Sequence, residues 1–578
     1  MAQLHRRSRI RESNIAALSD DRLRARFAAI RAEFEVPEGF PEPVLAEAEH
    51  VASAPLDWPD RDETAVPFLT IDPPGSMDLD QAMHIEPIDE GFRVRYAIAY
   101  LPAFVAPGGA IDTEAHTRGQ TIYSPDVRTP LHPPQVSEGA ASLLPGQVRA
   151  AYVWDMTVGS DGEGTEVTVY RALVRSVDRF DYAQVQELLD GGTDDSRLRG
   201  LRAVGRARIA FEQRRGGASL PMPEQEVTTD DSGAFVLGFR PPLEVEEWNA
   251  QISLMTGMAA AELMVGAKVG ILRTLPAPRP EAIERFRREA KALGVEWHDD
   301  QPYGEFLRSL DRTNPKHLAL IYDATGLFRG SAYAAFDGQV PDNPEHGALA
   351  SIYAHVTAPL RRLVDRYGLA VSEAISSGQT IPEWARAGLA ELPDIMARTS
   401  RTANGVERAC TDAVEAAVLS QRIDEEFEAV VVDNSEHGRW LIQLTDPAVI
   451  AAASTKVRID NGDIVTARLV KAEVEAGERG AQAQPEQLSH SSVLLVPLRE
   501  RAARSARGAG LSSGGGMRMV PQLVTLELRC AASGMLVRYR RSRRLAACFR
   551  RGHAHRPHSS LDRSALEGLA DPRPFPRA

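Results

Sequence analysis

The spacing of apolar and polar residues divides the chain into segments of different character. Residues 13–36 carry an apolar periodicity that predicts two short helices, with Ser19 and Asp20 as candidate N-caps. Residues 65–72, AVPFLTID, are apolar and β-branched and predict a strand, and the PPGS sequence at 73–76 predicts the turn that ends it. The chain therefore begins with a small helical element and enters β-structure near residue 65.

The long central part of the chain mixes both kinds of pattern. Strand-like runs such as FRVRYAIAYL and AAYVWDMTV occur among helical runs such as EAIERFRREAKALGV, which predicts one large α+β body. Residues 427–475 instead consist of short β-rich runs separated by turn signals, the pattern of a small antiparallel barrel of the OB type. After Gly480 the chain is rich in Gln, Ser, Gly and Arg, and we expect poor order there apart from one hairpin at VTLELRC and MLVRYR.

These patterns predict an α+β fold in four parts. The parts are a helical N-terminal element, with a candidate helix-turn-helix, at 1–59, a mixed α+β domain at 60–425, an all-β OB module at 426–482 and an Arg-rich tail at 483–578. The length of 578 residues, with 43% hydrophobic and 25% charged residues, agrees with a soluble protein of about three domains. Three cysteines supply neither a disulfide framework nor a CxxC metal motif.

The apolar stretches and the N-terminal sequence indicate where in the cell the protein is expected. The most apolar stretch, 254–272, is interrupted by Glu262 and Lys268, so we expect a buried helix and no membrane span. The N-terminal sequence MAQLHRRSRIRES lacks the apolar core of a secretory signal, so a cytoplasmic protein is expected.

Charge is distributed unevenly along the chain. The formal net charge is −13, yet the segment from Arg499 to the end holds 17 arginines and 5 acids. Such a tail could add contacts to the phosphates of a nucleic acid. Its abrupt change of composition could equally arise from a shifted reading frame.

The first candidate site is the run DPPGSMDLDQ at 72–81. Asp72 follows a predicted strand, and Asp78 and Asp80 alternate along an extended segment, so that both face the same side. Three carboxylates gathered without a cation would repel one another, whereas Mg²⁺ prefers such oxygen ligands. The alternative is an acidic, solvated turn, and spacing alone does not decide between the two.

The second candidate site is HVTAPLRRLVDRY at 355–367. Pro359 is expected to start a helix that presents Arg361 near its N-terminus, where guanidinium and backbone N–H groups can hold a phosphate. The alternative is an ordinary surface pair between Arg361 and Asp365. Carboxylate-bound metal combined with an arginine is a common arrangement for phosphoryl transfer.

Four ordered blocks resemble one known family. The run FLTIDPPGSMDLDQAMHIE resembles the signature of the RNB family, the ribonuclease II and ribonuclease R exoribonucleases, whose pattern is TIDPxxAxDxDDA. The further matches, in the order that the family requires, are YSPDVRTPLHPPQVSEGAASLLPGQVR, HVTAPLRRLVDRY and NGVERACTDAVEAAVLSQR. The resemblance covers roughly residues 40–480 and implies an RNB catalytic domain followed by an OB-fold RNA-binding module.

The resemblance implies a processive 3′→5′ exoribonuclease that converts single-stranded RNA to nucleoside 5′-monophosphates with Mg²⁺, for which Mn²⁺ could substitute. Asp72, Asp78 and Asp80 would bind the metal, and Asp78 and Asp80 would act in catalysis together with Arg361. The residues implied to contact RNA are Tyr123, which would stack on the terminal base, Arg361, Arg362, Glu407 and Gln81. Alternatives from the residues themselves are a core tyrosine for Tyr123 and a helix-surface pair of Glu407 with Arg408.

Departures from the family pattern keep a second function open. Gln81 stands where the family has a fourth acid, and Tyr100 replaces another acid, so the chain could be a catalytically impaired RNA-binding protein of the same fold. A magnesium phosphodiesterase acting on DNA or small nucleotides is a third hypothesis. Residues 1–59 are too few for the two cold-shock barrels of typical members; the helical element would either guide RNA or pack against the catalytic domain. We expect a monomer without an obligate protein partner.

Overall fold

The computed structural model describes residues 20–54, 58–222, 224–229, 235–240, 242–435, 439–454, 459–474 and 492–498. The helices are α1 (Asp20–Glu33), α2 (Glu42–Ser53), α3 (Ala110–Arg118), α4 (Tyr182–Asp190), α5 (Ser196–Arg215), α6 (Glu244–Ala267), α7 (Pro280–Ala292), α8 (Tyr303–Arg308), α9 (Pro315–Ala324), α10 (Leu363–Ser376), α11 (Glu383–Gly388) and α12 (Leu392–Leu419). Short 3₁₀ or π-helical turns occur at Leu101–Ala103, Gln135–Ala140 and Thr325–Phe328.

The strands alternate with these helices. They are β1 (Phe68–Ile71), β2 (Gln81–Ile88), β3 (Gly91–Ala99), β4 (Ile122–Tyr123), β5 (Arg128–Thr129), β6 (Val148–Gly159), β7 (Gly164–Phe180), β8 (Glu224–Thr229), β9 (Phe235–Arg240), β10 (Val269–Thr274), β11 (Ala332–Asp337), β12 (Glu345–His346), β13 (Ser351–Ile352), β14 (Glu426–Ser435), β15 (Arg439–Leu444), β16 (Ile450–Ser454), β17 (Ile464–Glu473) and β18 (Ser492–Leu498). The mixture confirms the α+β fold class.

The central α+β body is built around a closed barrel of five strands. Its order is β1-β2-β3-β6-β7, with β7 returning to pair in parallel with β1 and every other pair antiparallel. Alternate positions of β2 divide between two apolar clusters: Met83 and Ile85 belong to one, and Ala82 to the other. Since β1 and β2 are adjacent, the connection at 72–80 lies across one end of the barrel.

Two long helices cover one side of this barrel. α5 approaches α6 so closely at Gly205 that an added Cβ would lie 2.4 Å from the Cβ of Trp248. α6 is long and apolar enough to cross a membrane by length and composition, but Ile252, Ala260 and Met264 are fully buried within the apolar core. Within the described residues, α6 is therefore a helix of the apolar core.

The C-terminal module is a second closed barrel of five strands, and it confirms the predicted all-β module. Its order is β14-β15-β16-β18-β17, with β16 and β18 parallel. The last strand, β18, lies beyond residue 482, where the change of composition had suggested that the module ends. Closure of the barrel requires this strand, because β18 pairs with both β16 and β17. The hairpin predicted within 524–540 lies outside the described residues.

The N-terminal helices pack against the rest of the chain. Phe27 and Ile30 of α1 are fully buried in one apolar cluster with Val406 and Val414 of α12. α2 buries Ala48 in the cluster that contains the small apolar side chains of the first barrel. One helix, α1, is described within residues 13–36, where two short helices were predicted, and α2 follows at 42–53; residues 13–19 lie outside the described residues. The contacts above show that both helices pack against the rest of the chain.

Candidate active site

The site begins where β1 ends. Asp72 follows Ile71, and a tight turn forms because the Ser76 N–H donates to the Pro73 carbonyl at 3.2 Å. Gly75 has φ of 82°, a conformation that favours glycine at this turn position. The turn sends the chain back across the barrel end towards β2, with Asp78 and Asp80 on the way.

The extended segment that carries Asp78 and Asp80 is fixed by its backbone. The Leu79 N–H donates to Ser142 Oγ at 3.0 Å, and the Leu143 N–H donates to the Leu79 carbonyl at 3.0 Å. Leu79 itself is fully buried. Because neighbouring side chains of an extended segment alternate, Asp78 and Asp80 project away from the apolar side that Leu79 fills.

Asp80 is the most buried of the three aspartates. Only 3% of the residue is exposed. Its Oδ1 accepts the Leu360 N–H at 2.7 Å, and its Oδ2 accepts Arg361 Nε–H at 3.3 Å. Burial raises the pKa of Asp80 to about 8, although the Arg361 guanidinium acts in the opposite direction. The structure therefore joins the two candidate motifs through this contact.

The loop that carries Arg361 is organised by Asp365. This fully buried carboxylate accepts the Ala358 N–H at 2.6 Å and both Nε–H and Nη2–H of Arg362 at 2.9 Å. Asp365 thus pairs with Arg362 and does not form the predicted surface pair with Arg361. Arg361 is left free to turn to Asp80, while 42% of its side chain stays exposed.

One prediction about this segment is corrected by the loop. α10 begins at Leu363, so Pro359 does not start a helix that includes Arg361. The buried Asp365 holds the preceding residues in a loop instead. Two donors on one edge of the Arg362 guanidinium bind Asp365, and the implied contact of Arg362 with RNA stays a prediction.

Tyr123 is brought to the same place by a short hairpin of β4 and β5. The residues before β4 pair with the arginine loop: the Thr121 N–H donates to the Arg361 carbonyl, and the Leu363 N–H donates to the Gly119 carbonyl, both at 2.9 Å. Tyr123 lies within electrostatic range of Arg361, Asp78 and Asp80. Because 53% of it is exposed, Tyr123 is not a core tyrosine.

Arg128 is a site residue that the sequence reasoning missed. It pairs across the hairpin with Tyr123, and its guanidinium contacts Asp78 through Nη1 and Glu138 through Nη2. The residue lies in the quoted YSPDVRTPLHPP block, but nothing in that spacing indicates which acid it reaches.

Asp72 lies at the edge of a cleft. A cavity of about 230 Å³ opens beside it, lined also by Arg179, Phe180 and Gln184. Burial raises the pKa of Asp72 to about 6, with Arg361 opposing this shift and Asp78 adding to it. Asp78 also raises the pKa of Asp80, so the three carboxylates interact with one another.

Tyr182 and Arg179 are further neighbours of Asp72 that the sequence reasoning did not single out. Burial raises the pKa of Tyr182, and the Asp72 carboxylate adds to the shift. The Tyr182 hydroxyl accepts a hydrogen bond from Asn249 of α6 at 3.2 Å. Arg179 Nη2–H donates to the Ser76 carbonyl at 2.5 Å, which ties the end of β7 to the turn after Asp72.

The Gln81 side chain is hydrogen-bonded within the barrel core. Its Oε1 accepts a hydrogen bond from the hydroxyl of Tyr96, which also shares a hydrogen bond of 2.8 Å with Ser253 Oγ. Tyr100, the other position where the sequence departs from the family pattern, packs edge-on against Tyr152 with 4.9 Å between ring centroids. Neither side chain contributes charge to the carboxylate group.

Glu407 is not joined to the site by any contact among the described residues. It lies on the exposed side of α12. One turn further along, the buried Cys410 lies beside Ser124, the residue after Tyr123. The implied contact of Glu407 with RNA stays a prediction, and the described residues contain no ion pair of Glu407 with Arg408.

The three aspartates are neighbours rather than a preassembled metal cluster. Within the described part of the chain, no group of three or more Asp, Glu, His or Cys side chains could hold a metal ion. Asp78 and Asp80 turn to Arg128 and Arg361, which compensate their charges. The donor chemistry nevertheless fits a hard divalent cation, because the three aspartates supply carboxylate oxygens. The half-buried Asp72 and the buried Asp80 have raised pKa values that a cation would lower.

Comparison with known families agrees with this arrangement of a barrel, a carboxylate and arginine site, and a second barrel. Residues 61–371 match the model of the RNB domain, and residues 425–481 match that of the RNase II-type exonuclease C-terminal S1 domain. Since the first match spans more than half of the chain, the protein belongs to the RNB family.

Individual relatives share part of their length with this chain. The chain is 29% identical over 326 residues to Ribonuclease R of Escherichia coli (strain K12), covering 52% of this chain and 38% of the relative. It is 28% identical over 320 residues to the Probable exosome complex exonuclease RRP44 of Caenorhabditis elegans, covering 52% and 32%. The chain thus spans about a third of the length of these two relatives.

Solved structures share the fold. Mycoplasma genitalium RNase R in complex with ribose methylated single-stranded RNA superimposes with a TM-score of 0.71 at 20% identity, over 83% of this chain and 78% of that one. Yeast Ssd1, described as a pseudonuclease, superimposes with a TM-score of 0.57 at 16% identity, over 72% and 54%. The same fold is therefore found in a protein named as a nuclease and in one named as a pseudonuclease.

Proposed function

We propose that this chain is a processive 3′→5′ exoribonuclease that hydrolyses single-stranded RNA to nucleoside 5′-monophosphates with Mg²⁺, or with Mn²⁺ in its place. The observation that carries the proposal is the contact of the buried Asp80 with Arg361, a residue 281 positions later in the chain. Membership of the RNB family and similarity to Ribonuclease R support it. We retain a cytoplasmic location and a monomeric state as part of the proposal.

Arg361 is suited to hold the scissile phosphate. Its Nε–H is directed to Asp80, which fixes the orientation of the guanidinium plane. Among the described residues, no partner is found for its Nη1 and Nη2, so two parallel donors remain for phosphate oxygens. In our proposal these donors stabilise the negative charge that builds up on the phosphorus oxygens when water attacks in line.

The aspartates and Tyr123 complete the proposed machinery. Asp72, Asp78 and Asp80 would hold the divalent ion, which supplies Lewis-acid activation of water and of the phosphate when bound. Tyr123 offers a half-exposed ring on which the 3′-terminal base can stack. Gln81 carries no charge and accepts a hydrogen bond from Tyr96, so it positions the start of β2 rather than serving as a base.

The test is the shortening of labelled RNA. The purified chain, incubated with Mg²⁺ and 5′-labelled single-stranded RNA, should give a ladder of products shortened from the 3′ end, and Asp80→Asn should abolish it. Asp155→Asn is the matched control, because Asp155 lies on the barrel and pairs with Arg93 away from the site. DNA of the same sequence should persist, since RNA recognition uses the 2′-OH.

A second candidate function is RNA binding without turnover. This function is favoured by Gln81, which is uncharged and hydrogen-bonded to Tyr96 in the barrel core. It is also favoured by the similarity to the pseudonuclease Ssd1. Retained RNA binding with no shortening would reject the enzyme and support this alternative. Degradation of DNA as fast as RNA would instead support a phosphodiesterase of different specificity.

A further inference from the structure

Arg128 bridges two acids at the edge of the proposed metal site. Its Nη1 contacts Asp78 Oδ1 and its Nη2 contacts Glu138 Oε1. All three side chains are largely withdrawn from solvent, with 26% of Arg128, 12% of Asp78 and 28% of Glu138 exposed. One guanidinium therefore already neutralises part of the charge that a divalent ion would meet at Asp78.

The backbone next to Glu138 is held independently of Asp78. It belongs to the π-helical turn Gln135–Ala140, whose residue Gly139 accepts a hydrogen bond from Arg149 Nη2–H at 3.2 Å. The two contacts of Arg128 use different terminal nitrogens, so the guanidinium can leave Asp78 while it keeps Glu138. Arg128 thus has a second acceptor in place before any ion arrives.

Charge makes this second acceptor relevant. A guanidinium and a divalent cation at the same carboxylate repel each other, so binding of the ion to Asp78 is opposed while Arg128 remains there. The position after Asp80 holds the neutral Gln81, which adds nothing to the attraction for a cation. The balance between Arg128 and Glu138 therefore bears directly on ion affinity.

We propose that Arg128 is a built-in counter-cation that competes with the divalent ion for Asp78, and that Glu138 receives Arg128 when the ion binds. The inference rests on the proposed function, because it concerns the ion that the three aspartates would hold. According to this proposal, Arg128 lowers the affinity for the ion and Glu138 raises it. A purely structural role for the pair would not produce opposite signs.

The test is a titration of the full chain with Mn²⁺ in the absence of RNA. Free Mn²⁺ is followed by electron paramagnetic resonance, and Mg²⁺ is then added as a competitor. Arg128→Gln should bind Mn²⁺ about three- to tenfold more tightly, because a repelling charge is gone. Glu138→Gln should bind it more weakly by a similar factor, because Arg128 then has only Asp78. The double variant should behave like Arg128→Gln.

Two further variants separate charge from folding. Arg128→Lys keeps the charge and should keep Mn²⁺ affinity within about twofold of the unaltered chain. Arg93→Gln, which removes an arginine from the remote pair with Asp155, should leave the affinity unchanged. Thermal unfolding of each variant shows whether it is folded at the titration temperature.

The inference is overturned if Arg128→Gln binds Mn²⁺ no more tightly than the unaltered chain, or if Glu138→Gln binds it no more weakly. These outcomes are independent of nuclease activity. A chain that binds Mn²⁺ with the expected pattern but never shortens RNA would contradict the proposed function and support this inference. A chain that binds no Mn²⁺ would contradict both this inference and the metal requirement of the proposed function.

Discussion

Two regions of this protein bury a carboxylate whose pKa is raised, and they use it differently. Asp80 at the barrel end has a pKa of about 8, and Glu415 on α12 has a pKa of about 7, both mainly because of burial. Glu415 Oε1 accepts the Ile450 N–H at 3.0 Å and Gln225 Nε2–H at 2.6 Å, both neutral donors. Asp80 instead faces Arg361 and interacts with the neighbouring Asp78.

The comparison separates a structural acid from a candidate catalytic one. Glu415 links α12 to the β8 strand and to the second barrel, and both of its hydrogen-bond donors are part of that framework. Around Asp80, by contrast, like charges are gathered beside a half-exposed guanidinium and a half-exposed tyrosine. Burial of an acid alone does not mark function; a buried acid beside an exposed guanidinium and an exposed aromatic ring does.

The largest effect is expected at Arg361. Arg361→Gln should lower kcat for single-stranded RNA by about 10²- to 10³-fold, because it removes donors aimed at the charge that develops on the phosphate. The free energy of unfolding should change little, since much of this side chain is exposed. Steady-state kinetics with saturating RNA measures the loss, and an unchanged kcat would mean that Arg361 does not contact the reacting phosphate.

The neighbouring Arg362 should give the opposite result. Arg362→Gln leaves the fully buried Asp365 without its bidentate partner and should lower the free energy of unfolding by about 3 kcal/mol. At a temperature where the variant is folded, kcat should fall far less than in Arg361→Gln. Urea unfolding combined with the same kinetics checks both, and a stable but inactive Arg362→Gln variant would support the predicted contact of Arg362 with RNA.

The buried Glu415 should make stability depend on pH. Its folded pKa is raised from 4.5 to about 7, so the stability that the protonated form contributes is complete below pH 4.5 and is lost as the pH rises through 7. Glu415→Gln stays neutral, so relative to the unaltered chain it should gain roughly 2 kcal/mol between pH 5 and pH 8. Urea unfolding at both pH values measures this gain; a constant difference would contradict the assignment.

A smaller effect is expected where α1 supports the hairpin that carries Tyr123. Arg31 binds Asp126 through two contacts, of 2.6 and 3.1 Å, and both side chains are nearly buried. Arg31→Ala should weaken RNA binding by about 1 kcal/mol because the hairpin loses this support. Asp126→Asn should match it, and Arg22→Ala, an exposed change on the same helix, should have no effect. Fluorescence anisotropy with labelled RNA checks the series.

The sequence predicts the elements of this fold better than the partners of individual side chains. The strand at 68–71, the turn after it and the β-rich module follow from local patterns, because each is encoded by neighbouring residues. The alanine-rich β16 (IAAAS) was not predicted, and its strand state depends on pairing with β15 and β18.

Side-chain partners at the site depend on tertiary placement. Sequence reasoning brought Asp80 and Arg361 together, but it could not tell that Asp365 would pair with Arg362 rather than with Arg361. That choice follows from the loop before α10, which is anchored to the strand leading to Tyr123. Arg128 was missed for the same reason, since its two acids lie 50 and 10 positions away.

The most direct test is a crystal structure of the Asp80→Asn chain with single-stranded RNA. We expect the last phosphodiester to lie within hydrogen-bond distance of the Arg361 guanidinium, with the 3′-terminal base against Tyr123. RNA bound elsewhere on the chain, or a 3′ end that reaches the barrel end without contacting Arg361, would contradict it.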